Sequence, residues 1–414
     1  MAKVEAADPT GTVTLHEAAA LALLRHPGLK AYAIERRAAE ARKLQSGLRP
    51  NPKLEIEMEE VAGSGERSGF DAAETSITLG QLIEMGGKRD KRVRLASLEA
   101  ELTEVAYESK RLDVLKDVTV SFVEVLAAQE RLALAERLRD LSQAAQAAVA
   151  QRVAAGKDSG VEELRADVAL AKSRIEASNA ARVLASARQR LAAAWGSRTP
   201  VFEKVAGGFY EVLVAPALDE VADSLAGNPD LTRWAVAQRQ RKAALELERA
   251  KGKLDVTIRG GVQHFQETDD SAFVVGLALP IPIFNRNQGG ILEATERLAK
   301  VRQESVAAEI RLAASLAEAL NRMAGAYDET GILRQEVLPK AQQAFEAASE
   351  GYREGKFDYL HVLDAQRTLF ETRLQYIDTV KRYHLARADV ERLIGQPLHP
   401  SRDEGEVGSK GTDQ

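Results

Sequence analysis

The sequence predicts a mostly α-helical protein with a small β part, made of one unit written twice: helix, β-hairpin, long helix, helix. Three observations predict it. Apolar residues are 45% of the 414, aromatic residues only 5% and charged residues 29%. Abundant Ala, Leu, Glu, Arg and Gln suits long helices in thin layers better than a core filled by aromatic bulk. Second, punctuation recurs: Gly156-Lys157 with Leu164, Leu170 and Arg174 returns 199 positions on as Gly355-Lys356 with Leu363, Leu369 and Arg373. Pro27-Gly28-Leu29 and Pro50-Asn51-Pro52-Lys53-Leu54 have echoes at Pro229-Asp230-Leu231 and Gly252-Lys253-Leu254, at offsets near 200. A constant offset of this kind marks an internal repeat. Third, each half carries two short runs that alternate apolar and polar residues, which is strand periodicity.

The first repeat spans 12–199. Its helix 14–48 places Leu15, Ala18, Leu21, Ala22 and Leu29 at helical spacing, and Pro50 and Pro52 stop it. Strand 53–59 turns Leu54, Ile56 and Met58 one way and Lys53, Glu55, Glu57 and Glu59 the other. After a Gly- and Ser-rich loop, strand 75–83 carries Ile77 and Leu79 on one face and Ser76, Thr78 and Gly80 on the other. A helix 84–150 follows, opened by Gly86-Gly87, then a break at Gly156-Lys157 and a helix 161–195. The second repeat, 214–397, has helices 216–252, 288–352 and 358–395 and strands 254–264 and 272–281. In its second strand Phe273, Val275, Leu277, Leu279 and Ile281 share one face, with small residues opposite. The polar tail 398–414 has the composition of a disordered segment.

Several function classes are excluded. Net charge is −5, so no basic surface argues for nucleic acid. Cysteine is absent, which removes disulfides, thiolate zinc sites and a thiol nucleophile. His16, His26, His264, His361, His384 and His399 are scattered, and no Ser/His/Asp order, phosphate loop or metal spacing appears. The expectation is a protein that is not an enzyme and holds no cofactor or metal. Gly86-Gly87-Lys88-Arg89 lacks phosphate-loop spacing and reads as a strand-to-helix hinge with basic residues near a membrane interface. The longest nearly unbroken apolar run, 273–284, is far short of the roughly 20 residues of a spanning helix. The segment Met1-Ala2-Lys3-Val4-Glu5-Ala6 has no apolar region of a signal peptide.

Length carries the next step. A helix of about 65 residues reaches about 100 Å, and two helices of about 35 residues end to end match it. Such helices form a wall one helix thick, which must close on copies of itself. Four amphipathic strands cannot hide their own edges, whereas three chains supply twelve strands and a barrel without edges. Glu-rich strand faces suit a water-filled lumen, and apolar faces suit lipid. Phe70, Phe265, Phe273 and Phe284 near strand ends fit interfacial positions. The alternative is a soluble, coiled-coil-rich interaction protein with its sheet under helices.

Three segments then carry a resemblance. Gln81-Leu82-Ile83-Glu84-Met85-Gly86-Gly87-Lys88-Arg89, Pro280-Ile281-Pro282-Ile283-Phe284-Asn285-Arg286-Asn287-Gln288-Gly289 and Tyr359-Leu360-His361-Val362-Leu363-Asp364-Ala365-Gln366 resemble motifs of the TolC-like outer-membrane efflux channel family. Within it they resemble the heavy-metal-efflux branch typified by CzcC and CusC, over about residues 12–397. The resemblance implies a homotrimer with a 12-stranded β-barrel in the bacterial outer membrane, continued by a long α-helical barrel in the periplasm. It implies the exit duct of a tripartite RND-type system, with an adaptor (membrane fusion) protein and an inner-membrane RND pump as partners. Heavy-metal cations are the expected cargo, with small organic compounds as the alternative. It also implies a leader removed from this chain. Many members of the branch carry a lipidated N-terminal cysteine, and this chain has none.

The same resemblance places function on residues. Arg152, Gly156, Lys157, Arg353, Gly355 and Lys356 fall at the periplasmic corners and are expected to form the adaptor-docking edge. The constricting acidic rings fall on His361 and Asp364, with Glu162 and Arg165 as first-half counterparts at the 199-residue offset. His361 departs from the family's paired aspartates. Arg165 is expected to offset the Asp364 charge at salt-bridge range, and the lining is expected to be polar and solvated rather than a metal site.

Overall fold

A computed structural model describes residues 8–398; His399 and the expected tail beyond it lie outside them. Strand β1 (Gly11–Thr14) leads into helix α1 (Leu15–Arg25), whose start is a capping box: Thr14 and Glu17 satisfy each other's backbone N–H groups. The expected helix 14–48 is two helices, because α2 starts only at Pro27 (Pro27–Ser46). His26 between them has ψ of 120°, the extended setting that a following proline imposes. Strands β2 (Lys53–Glu59) and β3 (Glu74–Ile83) come next.

Helix α3 (Lys88–Ala154) runs for 67 residues. It begins four residues later than the sequence suggests, because Gly86 and Gly87 both take left-handed φ, at +73° and +67°. Lys88 does not stand free at this hinge. Its side chain is 10% exposed and its ammonium lies 2.8 Å from an Asp255 carboxylate oxygen and 2.8 Å from the Lys253 carbonyl. Asp255 also accepts the Met85 N–H at 2.9 Å, and Glu84 is gripped by both Nη atoms of Arg92. The motif thus ties the turn after β3 to the turn before the second hairpin.

Helix α4 (Gly160–Ala194) and strand β4 (Phe202–Ala206) follow. Strand β4 pairs in parallel with β1, a small sheet that the sequence periodicity does not predict. The expected helix 216–252 is α5 (Leu218–Ala222), a 3-10 segment, and α6 (Pro229–Lys251), since Pro229 fits only a helix start. Strands β5 (Val256–Phe265) and β6 (Asp270–Ala278) make the second hairpin. Strand β6 stops short of the expected 281 because Pro280 and Pro282 have no N–H to give a ladder. The expected helix 288–352 is α7 (Gln288–Ile332), a π-helical turn over Leu333–Val337, and α8 (Leu338–Arg353). Pro339 cannot donate to the preceding turn, and the π turn absorbs the missing bond. Helix α9 (Tyr359–Ile394) ends on Gly395 at φ +73°.

The chain forms two compact units. One holds the described residues 8–31, Glu108–Pro229 and 309–398. Its buried side chains include Phe122, Leu191, Trp195, Phe202 and Tyr383. Trp195 packs at 5.7 Å from Phe202, and Tyr383 both donates to and accepts from the Leu213 backbone at 2.9 Å. These bonds fasten the segment between the halves to α9. The other unit, Tyr32–Tyr107 with Asp230–Ala308, holds a four-stranded antiparallel sheet in the order β2-β3-β5-β6. The two hairpins therefore join through β3 and β5, and β2 and β6 are open edges. Among the described residues no helix is long and apolar enough to cross a membrane.

Candidate functional site

The corners after α3 and α8 share one backbone solution. Gly156 and Gly355 stand at φ +70° and +73°. The Gly156 N–H donates to Val153 at 2.9 Å and the Lys157 N–H to Arg152 at 2.8 Å. The Gly355 N–H donates to Tyr352 at 3.0 Å and the Lys356 N–H to Gly351 at 2.7 Å. This crossed pair of bonds satisfies carbonyls that a helix end leaves open, and a Cβ is strained at that φ.

Of the six residues assigned to the docking edge, five are exposed: Gly156, Lys157, Arg353, Gly355 and Lys356. Arg353 meets Glu350 at 3.0 Å and Lys356 meets Glu354 at 2.5 Å, in ion pairs open to solvent. Arg152 is different. It turns inward onto Asp158, with Nε to Oδ2 at 2.8 Å and Nη2 to Oδ1 at 3.2 Å. Tyr352 Oη donates to Asp158 Oδ2 at 2.5 Å, and the Arg152 guanidinium lies 4.7 Å over the Tyr352 ring. The Arg152 partner first, and Tyr352 with it, hold the Asp158 carboxyl below its usual pKa. Beneath this clamp Val149, Ala166, Ala348, Tyr352, Tyr359 and Val362 form a buried cluster. The clamp thus binds the first corner to the end of α8.

The four residues assigned to the constriction lie on α4 and α9, but not paired as the sequence suggests. Arg165 bonds Glu162 at 2.9 Å, and Asp364 bonds Arg367 at 2.9 Å. Within one chain Arg165 does not reach Asp364, because each finds an opposite charge one helical turn away first. His361 is exposed and stacks on Phe357 at 5.5 Å. Glu162 keeps one carboxylate oxygen buried without a hydrogen-bond partner, as does the Tyr359 hydroxyl. Burial first, and the Glu162 charge second, push the Tyr359 hydroxyl up to about 12. A groove of about 710 Å³ runs between α4 and α9, lined in part by Val161, Leu164, Arg165, Leu360, Asp364 and Arg367. Leu164, Val168 and Ile175 on α4 are 65%, 55% and 59% exposed, an apolar stripe with nothing over it in the single chain.

The sheet has two unlike faces. One carries Leu54, Ile56, Ile77, Leu79, Val262, Phe273 and Val275, with Phe273 89% and Val275 84% exposed. The register places Glu55, Glu57, Glu59, Glu74 and Asp270 on the other, with Lys53 and Arg259 as its bases. Arg259 Nη1 bridges to Glu55 Oε2 at 3.3 Å, and Gln263 donates to Glu74 at 2.5 Å. Among the described residues no group of three or more His, Cys, Asp or Glu is placed to hold a metal ion.

The sequence reading missed Asp158, Tyr352 and Arg259. Asp158 follows the Gly156-Lys157 corner by one residue, and an acid just past a helix corner can meet a base in the last turn of that helix, here Arg152; that spacing was the available signal. Nothing local marks Tyr352 or Arg259, whose partners are 194 and 204 residues away.

The model of the family described as outer membrane efflux protein matches residues 18–197 and 221–396. The cobalt-zinc-cadmium resistance protein CzcC of Cupriavidus metallidurans is 35% identical over 94% of this chain and 91% of its own length. The nickel-cobalt-cadmium resistance protein NccC of Alcaligenes xylosoxydans xylosoxydans is 26% identical over 72% of this chain and 66% of its own. Among solved structures, CusC superposes with a TM-score of 0.78 at 19% identity, covering 95% of this chain and 96% of that one. The CmeC outer membrane channel of Campylobacter jejuni superposes with a TM-score of 0.78 at 14% identity, over 97% and 92%. Both structural likenesses speak for the fold.

Proposed function

The chain belongs to the outer membrane efflux protein family, and from that premise we propose that it is the homotrimeric exit duct of a tripartite system exporting heavy-metal cations. It is an outer-membrane channel and not an enzyme. The observation that carries the trimeric barrel is the sheet: four strands with two open edges, one face of exposed apolar side chains and one face of charges. Three such sheets joined edge to edge give twelve strands with no free ladder, apolar toward lipid and charged toward water. The bare apolar stripe of α4 supports the same assembly, since a neighbouring copy covers it. The two stretches matched by the family model support reading the chain as two repeats, 12–199 and 214–397.

Roles within the duct follow the geometry. Lys157, Arg353 and Lys356 on their exposed glycine corners are the docking edge for the periplasmic adaptor, through which the inner-membrane pump delivers. Arg152 serves that edge from behind, by holding its corner to α8. Threefold symmetry places three copies each of His361, Asp364, Glu162 and Arg165 around one axis, and charge rings of this kind gate ions. The cargo assignment is supported by the metal-resistance names of the relatives.

The test is expression with a signal peptide in a strain lacking its own metal-efflux duct but retaining pump and adaptor. The expected result is an outer-membrane species of three 45.0 kDa chains in mild detergent, and restored tolerance to cobalt, zinc or cadmium. A monodisperse soluble species needing no detergent overturns the duct. A membrane trimer that leaves metal tolerance unchanged overturns the cargo and turns the question to small organic compounds.

A further inference from the structure

We propose that Arg259, laid across the sheet onto Glu55, sets the ion preference of the barrel lumen by offsetting part of an otherwise acidic wall. This rests on the duct reading, which makes the charged face of the sheet the lumen. Arg259 is on β5 and Glu55 on β2, with β3 between them. Two strand spacings are about 10 Å, so the two long side chains must reach toward each other across the middle strand. The register puts Gly80 of β3 and Gly276 of β6 on either side of Arg259. A Cβ on Gly80 would come within 3.3 Å of Arg259 Cγ, and one on Gly276 within 3.4 Å of its Nε. The wall is therefore bare of side chains where this arginine lies. The contact of Nη1 with Glu55 at 3.3 Å turns the guanidinium along the wall.

The rest of that face carries Glu57, Glu59, Glu74 and Asp270 against one further base, Lys53. Glu57 and Glu59 form no ion pair among the described residues, and Glu74 is held only by the amide of Gln263. Conduction requires a wall that attracts its ion enough to admit it and weakly enough to release it. Repeated three times, a wall of these carboxylates with Lys53 as its one base would hold divalent cations. Three bridged arginines lower that attraction without blocking the path. An arginine suits the position better than a lysine, because its planar fork is weakly hydrated and keeps its geometry against a carboxylate.

Purified trimers in planar bilayers under a KCl gradient read this directly through the reversal potential. Arg259→Gln frees the Glu55 charge and is expected to raise the cation-to-anion permeability ratio about threefold at about 10 mM salt, where screening reaches about 30 Å. Glu55→Gln frees the arginine and is expected to lower the ratio by a similar factor. The double swap Glu55→Arg with Arg259→Glu is expected to restore the wild-type value. All three differences are expected to vanish near 1 M salt, where screening reaches about 3 Å. Unchanged ratios at low salt, or the same direction of change in both single variants, overturn the assignment of ion preference to Arg259 while leaving a working channel. A wild-type chain that forms no channel overturns the duct reading and this inference with it.

Discussion

Replacing Asp158 with Ala is expected to open the tip. Its carboxylate takes three hydrogen bonds, from Nε and Nη2 of Arg152 and from Oη of Tyr352. Hydrogen bonds to a charged group contribute about 1.5–3 kcal/mol each, but three on one carboxylate do not add in full. Arg152 is 25% exposed and can turn to water once released, whereas the buried Tyr352 hydroxyl cannot. A loss of about 3 kcal/mol is a reasonable sum, and at 1.36 kcal/mol per tenfold the corner then opens about 150 times more often. The assay is the fraction of time single trimers spend in their high-conductance state, with trimer mass as the control for folding. The carboxyl is held below its ordinary pKa by Arg152, so the clamp is intact above the ordinary value of 3.8 and fails as pH falls through the lowered one. The wild type is thus expected to keep constant gating between pH 5 and 8 and to approach the variant only in stronger acid. Equal open fractions for variant and wild type at pH 7, with both trimeric, refute the clamp as a lock.

Lys88→Met strands the Asp255 carboxylate in a mostly buried pair and is expected to cost about 3 kcal/mol, measured as a lower thermal midpoint; adding Asp255→Leu should recover part of it. Gly355→Val forces a β-branched residue to φ +73° with open space around it, so only backbone strain is added, about 2 kcal/mol. Trimers should survive while metal tolerance is lost, and normal tolerance would remove Gly355 from the docking edge. Asp364→Ala with Arg165→Ala removes two of the proposed charge rings and is expected to raise single-channel conductance. No rise would place the narrow point elsewhere.

Much of the chain was legible because its signals are local. Strand 53–59 emerges with the expected bounds, since strict alternation from Lys53 to Glu59 sorts its side chains onto two unlike faces. Both glycine corners are where the repeat put them, since few residues other than glycine tolerate φ near +70°. Helix ends were misread where a local competitor intervened: Pro27 split the first helix, and Pro339 forced a π turn into what reads as unbroken helix. The parallel pair β1 and β4 was not legible, because each strand is only four or five residues long and their partnership spans the whole first half.

The sequence by itself determined the duplicated element order, the amphipathic strands, the glycine corners and the resemblance to a family. Each depends on spacing within a few residues or on repetition of that spacing. The tertiary structure alone decided the pairing. It turned Arg152 from a docking base into one arm of a clamp on Asp158 and Tyr352, gave Arg165 to Glu162 and Asp364 to Arg367, buried Lys88 on Asp255, and laid Arg259 across two strands onto Glu55. The reason is physical: a charge takes the opposite charge that folding brings nearest at least desolvation, which for Arg165 and Asp364 is one helical turn away and for Lys88 and Arg259 lies far along the chain.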